Sequence, residues 1–318
     1  MSAASHAHGG GHAHDHGGGG HGHDHGVSAD ANVPKLVVAL ALILGFMAVE
    51  VVAGLLIGSL ALLSDAAHML TDAAAIALSL VAARLARRPA KGAMTFGLKR
   101  VEILAAQING VTLLVLAAVI AFEGVRRLFD PPPVEGGLIL VVAIAGIGVN
   151  LAATWVLAQA DRRSLNVEGS YQHVLTDLYA FIGTAVAAAV IMLTGFVRAD
   201  PLISLVIAGL MVRSGYGLVK ASGRVFLEAA PRGIDPDEIG RRLAGQPGVA
   251  EVHDLHVWEL TSGFPMLSAH VLVRDGQDCH GTRRDLEHLI HADFGIEHTT
   301  LQVDHERGDL LTIQPLRG

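Results

Sequence analysis

The sequence predicts an α-helical membrane protein, a six-transmembrane-helix bundle followed by a small C-terminal α+β domain. Three observations carry that expectation. Hydrophobic residues fill 51% of the 318 positions and charged residues only 17%. The apolar residues gather into blocks that each suffice to cross a hydrocarbon core of about 30 Å, which takes roughly 20 helical residues. Near Pro231 the blocks stop and apolar positions alternate with polar ones, as in a water-facing domain. This balance excludes a disordered or collagenous chain. Cys279 is the single cysteine, which excludes an internal disulfide and a multi-cysteine metal knuckle. A net charge of −7 without a basic run gives a nucleic acid nothing to bind.

Residues 1–30 hold His6, His8, His12, His14, His16, His21, His23 and His25 among glycines and aspartates. Too few apolar side chains are present to offset the entropy of ordering them, so a disordered cytoplasmic tail is expected. The tail lacks a basic n-region and a cleavage site, and the first apolar block reads as a retained span. A transmembrane domain is expected over 31–225, with spans near 36–57, 60–84, 101–125, 137–159, 170–196 and 201–222. Gly58-Ser59, the basic stretch ending at Arg100, Pro131-Pro132-Pro133, Asp161-Arg162-Arg163 and Asp200-Pro201 separate them. Arg84, Arg87, Arg88, Lys91, Lys99, Arg100, Arg162, Arg163, Lys220 and Arg224 all fall on one side, and Arg126, Arg127 and Arg198 on the other. The positive-inside tendency then places both termini in the cytoplasm. Over 226–318 the expected order is αββαβ, ferredoxin-like in its alternation. Asp235-Pro236 reads as an N-cap and first helical residue of a helix to Leu243. Val249–Leu260 and Pro265–Val273 form a hairpin around Ser262-Gly263, followed by a helix over 280–293 and a strand over 298–304.

Two spans share a motif. His68-x-x-x-Asp72 and His173-x-x-x-Asp177 each put an imidazole and a carboxylate one helical turn apart on one face. Facing each other, they would offer a tetrahedral pair of nitrogens and pair of oxygens, a set that suits Zn2+, with Cd2+, Co2+ and Ni2+ as neighbours in preference. A carboxylate near mid-bilayer costs about 2.5–3.5 kcal/mol on insertion scales, and neither span carries a lysine or arginine deep enough to neutralise one. A dication or protons must do so. The plainer alternative has each histidine hydrogen-bonded across a helix interface and oriented by its aspartate.

Among the other polar residues of the spans, Asp65 reads as a hydrated membrane-edge residue. Glu50 is a weaker candidate for the transport pathway. Gln107, Asn109 and Asn150 suit interhelical hydrogen bonds, and Glu123 suits a helix-end ion pair with Arg126 and Arg127. In the C-terminal domain, strand alternation points His270 outward from one strand and His298 and Asp304 outward from another, so the three can meet on an exposed sheet surface. Solvated strand positions are the simpler reading of the same residues. His256, His280 and Glu306 are weaker candidates, while His288 and His291 read as helix-surface residues. No His-Glu-x-x-His, Walker or phosphorylated-aspartate motif occurs, so a membrane zinc enzyme and an ATP-driven pump lack support. A membrane-anchored metal sensor, with the C-terminal domain as its working part, is the remaining alternative.

The chain resembles the cation diffusion facilitator family of metal/proton antiporters over essentially its whole length. The likeness rests on Gly58-Ser59-Leu60-Ala61-Leu62-Leu63-Ser64-Asp65-Ala66 leading to His68 and Asp72, and on Phe96-Gly97-Leu98-Lys99-Arg100-Val101-Glu102-Ile103-Leu104-Ala105-Ala106. It rests also on His173 with Asp177, and on Val252-His253-Asp254-Leu255-His256-Val257-Trp258. Leu178-Tyr179-Ala180-Phe181, where such proteins usually carry smaller residues, and Arg213, where an apolar residue is common, depart from the pattern. The resemblance implies a homodimer in a bacterial inner membrane and the four-residue transport site above. It implies export of Zn2+ in exchange for H+ by alternating access, and paired cytoplasmic domains that bind metal. It also adds His253 to His270, His298 and Asp304 as a regulatory cytoplasmic site.

Overall fold

The computed structural model describes residues 29–57, 60–130 and 136–306. The histidine-rich stretch, Gly58-Ser59, Pro131-Pro132-Pro133 and the residues after Glu306 lie outside the described residues. Six long helices come first: α1 (Ala29–Ile57), α2 (Leu60–Ala86), α3 (Val101–Phe129), α4 (Gly136–Ala158), α5 (Leu165–Thr194) and α6 (Ala199–Phe226). At 1.5 Å per residue each is about 35–45 Å long, and all six are apolar enough to cross a membrane.

The helices pack as two groups. α1, α2, α4 and α5 form a four-helix set, while α3 lies along α6, with α5 touching both groups. α3 and α6 approach closely because neither has a side chain at the crossing. A Cβ on Gly215 would stand 2.8 Å from the Gly110 carbonyl oxygen, and one on Gly110 would stand 3.1 Å from that of Gly215. Such small-residue contacts are a usual way to join helices in lipid, which supplies no hydrophobic drive between them. Phe181, one of the bulky departures from the family pattern, is accommodated by Gly146, where any side chain would collide with the ring. Phe46 meets it edge-on at 6.3 Å. Arg213, the other departure, is exposed.

Several polar residues in the bundle join helices. Asn109 donates to the Ser79 hydroxyl, Asn166 to the Ser79 carbonyl, and the Ser222 hydroxyl to Gln107. Asn150 differs from expectation: its amide donates to the Gly146 carbonyl of its own helix, one turn back. Glu123 pairs with Arg126 at 3.8 Å and Arg127 at 3.5 Å. α5 begins at Leu165, earlier than hydropathy suggests, because its polar first turns are buried: Asn166 and Ser170 are fully covered.

The C-terminal part contains α7 (Pro236–Ala244), β1 (Val249–Glu259), β2 (Pro265–Val273), α8 (Cys279–Phe294) and β3 (His298–His305). Asp235 caps α7 by accepting from the Asp237 N–H with Pro236 in the first turn, and Asp278 caps α8 by accepting from the His280 N–H. The sheet order is β1-β2-β3, with β2 antiparallel to β1 and parallel to β3. Ile239, Leu243, Leu267, Val271, Val273, Leu286, Ile290 and Leu301 form a core between the sheet and the two helices.

Among the described residues, this domain meets the helical bundle at one end. Arg100 pairs with Glu228 at 3.2 Å, the Leu165 N–H donates to the Ser262 hydroxyl, and Thr261 donates to the Lys99 carbonyl. Lys99 also lies over the Phe264 ring, 4.2 Å from its centroid. The α2–α3 and α4–α5 connections are therefore on the domain's side of the bundle, and the α1–α2 end is on the far side.

Candidate metal transport site

His68, Asp72 and Asp177 bring one ligand atom each to within 4.8 Å of one another. The i, i+4 spacing aligns His68 with Asp72 along α2, and α2 packs on α5 with its motif facing the second one. His173 completes the set, its Nε2 lying 2.8 Å from Asp72 Oδ1. All four expected residues thus gather at one place between two helices. Asp72, His173 and Asp177 are buried and His68 is half-buried.

The contact between His173 and Asp72 is the cross-helix bond that the plainer alternative expects. It leaves much of the set unsatisfied, however. Asp177 Oδ2 and His173 Nδ1 are buried with no hydrogen-bond partner. Buried polar atoms without partners cost about 1–3 kcal/mol each, and more when charged. Two carboxylates and two imidazoles match a dication in charge and in donor number, so binding one would satisfy these atoms together.

Above this set, toward the α1–α2 end, stand Glu50 and Asp65. Glu50 is only 3% exposed, and its carboxyl faces that of Asp65. Asp65 is half-buried, with one carboxylate oxygen fully covered and unpartnered, which differs from the hydrated edge residue expected.

In the C-terminal domain the expected residues separate into two places. His253 and His270 are register partners on β1 and β2, their rings 5.4 Å apart. Asp254 joins them, its Oδ2 3.6 Å from His270 Nδ1, and His253, Asp254 and His270 each offer a ligand atom within 4.8 Å. Sequence reasoning missed Asp254, because strict alternation would turn it away from its neighbour. A bulge between His253 and His256, with Asp254 at φ 50°, rotates it onto the His270 side. Asp304 lines an open cleft of about 1140 Å3 with His253, His270, Glu251 and Glu306, while Asp254 lines a smaller opening on the other side of His270. The Gln302 amide donates to Asp304 at 2.8 Å.

His298 does not reach that cleft. It pairs with Met266 at one end of β3, whereas Asp304 pairs with Leu272 near the other. Six residues of strand separate them by about 20 Å. His298 instead packs between Phe96 of the α2–α3 connection and Phe264 of the β1–β2 turn, with ring centroids at 5.9 and 6.0 Å. His256 lines the smaller opening with Asp254 and Ser268, and His280 lies at the exposed start of α8. His288 and His291 are exposed on α8, as expected.

Comparison with known proteins adds independent findings. The cation efflux transmembrane domain family matches residues 36–227, and the cation efflux protein cytoplasmic domain family matches 231–306. The cadmium, cobalt and zinc/H(+)-K(+) antiporter of Bacillus subtilis (strain 168) is 38% identical over 293 residues, covering 90% of this chain and 94% of that protein. The zinc transporter ZitB of Escherichia coli (strain K12) is 39% identical over 279 residues, covering 87% and 89%. A solved structure, the metal-bound C-terminal domain of the CzcD transporter from Cuprividus metallidurans, aligns at 32% identity over 22% of this chain and 97% of that one. Its TM-score is 0.21.

Proposed function

Because this chain belongs to the cation diffusion facilitator family of cation efflux proteins, we propose that it exports divalent metal from the cytoplasm in exchange for protons, with Zn2+ as the foremost cargo. It is an integral membrane transporter and not an enzyme. One observation carries the choice of site: His68, Asp72 and Asp177 converge between α2 and α5 with His173 beside them. The names of the relatives support cadmium and cobalt beside zinc, and the imidazole donors favour that group over Mg2+ and Ca2+.

The chemistry of exchange follows from the ligands. A metal-bound imidazole must be unprotonated and a bound carboxylate ionised, so metal and protons compete for the same atoms. His173 and Asp72, which already touch, part to admit the ion. Protons arriving from the far side bind among these groups as the metal leaves and offset the carboxylate charge that it uncovers. Alternating access then requires α2 and α5 to shift against α3 and α6.

The arrangement of basic residues supports an orientation with the C-terminal domain in the cytoplasm. Lys99, Arg100, Arg162, Arg163 and Arg224 all lie at the end of the bundle that the domain touches. We assign the domain, from about residue 226, to metal-sensitive pairing of two subunits, with His253, Asp254, His270 and Asp304 as its ligands. The matched cytoplasmic domain family supports this. The sensor reading gives no role to the buried cluster between α2 and α5.

The test is zinc uptake into proteoliposomes under an imposed pH gradient. Asp72→Ala and Asp177→Ala should each abolish gradient-driven uptake. Unchanged uptake in both variants would refute the site.

A further inference from the structure

The proton competition described above uses only the four metal ligands and leaves Glu50 unused. Its burial makes that costly. Glu50 is 3% exposed, and neither carboxylate oxygen has a hydrogen-bond partner. It lies in a membrane span, where an ionised carboxylate without a partner is costly.

The groups around it are few. α1 packs against α2 and α4 and meets α5 where Phe46 touches Phe181; α5 carries Glu168, Tyr171, His173, Asp177 and Tyr179, of which Asp177 is the one that acts on Asp65. α4 carries no titratable side chain anywhere along Gly136–Ala158. The titratable residues of α2 are Asp65, His68, Asp72 and, at its opposite end, Arg84. Asp65 is the one that Glu50 faces, and its own buried oxygen is also unpartnered. Two carboxyls are therefore set against each other in an apolar layer, with no lysine or arginine of α2, α4 or α5 at their level. Both cannot be ionised together, since like charges at close range in a medium of low dielectric repel strongly. The pair must hold a proton or a cation.

Its position favours the proton. Asp65 stands three residues before His68 on α2, about 4.5 Å along the axis toward the α1–α2 end, which is the side away from the C-terminal domain. It is close enough to Asp177 for the two charges to act on each other. The pair has no imidazole of its own, whereas zinc prefers sites containing nitrogen or sulfur.

We propose that Glu50 and Asp65 form a proton-holding carboxyl pair outside the metal site, and that it carries one of the protons exchanged for each metal ion. This rests on the transport reading above. A proton bound between the two carboxyls from the far side passes inward to an emptied ligand as the metal departs. The pair is then recharged from the same side. The net movement is protons in and metal out, and the pair returns to its starting charge.

The experiment measures zinc flux and proton flux together in proteoliposomes, using one dye for each ion. Glu50→Gln mimics the protonated side chain permanently. It should still transport zinc with an apparent affinity within about twofold of wild type, which is less than 0.5 kcal/mol, while moving one fewer proton per zinc. Asp65→Asn should do the same. A wild-type proton count in both variants overturns the proposal, as does a tenfold or larger loss of zinc affinity, which would make Glu50 a metal contact. Asp72→Ala in the same vesicles tests the transport site separately: continued zinc flux there would sink the metal site and not merely the pair. A measurement without substitution guards against misfolding. A hydrophobic carbodiimide, which reacts with protonated carboxyls, should label Glu50 of the wild-type chain, and labelling should decline as pH rises. Absence of label at every pH tested overturns the proposal.

Discussion

Replacing Asp72 by asparagine tests the charge balance of the site more sharply than deleting a ligand does. The side chain keeps its size and an oxygen near the position of Oδ1, which lies 2.8 Å from His173 Nε2. With both aspartates present, a bound dication leaves the buried set neutral. With the neutral amide in place of one carboxylate, the same ion leaves one net positive charge between α2 and α5, at a depth where a charge costs about 2.5–3.5 kcal/mol on insertion scales. At about 1.4 kcal/mol per factor of ten, apparent zinc affinity should fall roughly 60- to 300-fold. Asp177→Asn should fall as far, since Asp177 shares the burial of Asp72. His68→Ala removes a ligand but leaves the charge balanced, and its affinity loss should not depend on this contribution. The assay is the zinc dependence of uptake into proteoliposomes. Apparent affinity within threefold of wild type for Asp72→Asn would refute the electrostatic reasoning, even if the aspartate proved to be near the ion.

Other outcomes follow from separate parts of the structure. Asp254→Ala and His270→Ala should each weaken zinc binding to the C-terminal domain, measured on full-length protein whose transport site carries Asp72→Ala, whereas His298→Ala should leave it unchanged; equal effects from all three would contradict the separation along β3. Gly215→Ala places a methyl group 2.8 Å from the Gly110 carbonyl oxygen, and thermal unfolding in detergent should show about 1–3 kcal/mol of lost stability. Asp235→Ala removes the cap of α7 and should cost about 1 kcal/mol by the same method. Burial raises the Glu259 carboxyl above its ordinary value, against the lowering effects of the Gly263 N–H and Arg224. A raised folded value contributes stability below the unfolded value of about 4.3 and loses it as pH rises through the folded value. Wild-type stability should accordingly fall relative to Glu259→Gln as pH increases from about 4 toward neutral, read by Trp258 fluorescence during thermal melts.

The transport ligands were legible because helical periodicity is local. A spacing of four residues fixes which side chains share a face, and two copies of one motif in separate spans leave few ways to satisfy both. The domain's strands were legible for the same reason, since Leu267, Ala269, Val271 and Val273 alternate inward and are all buried. What failed were inferences about register between elements. Alternation puts His298 and Asp304 on one face, but six residues of strand hold them about 20 Å apart, and only the pairing of β3 with β2 shows that the Asp304 end is the one beside His270. The bulge that turns Asp254 toward His270 depends on a positive φ at a non-glycine residue, for which Asp is among the tolerant types but gives no certain signal. The facing of Glu50 and Asp65 depends on how far α1 and α2 slide along each other, and no spacing within either helix records that. The start of α5 was hidden by Asn166, Glu168 and Ser170, whose polarity resembles a connection until their burial and bonding are seen.

The most direct measurement is anomalous scattering at the zinc edge from crystals of the loaded protein. A peak bounded by His68, Asp72, His173 and Asp177, with two nitrogens and two oxygens at about 2.0–2.2 Å, is the predicted result. Peaks confined to the C-terminal domain, with α2 and α5 still joined through His173 and Asp72 at saturating zinc, would contradict it.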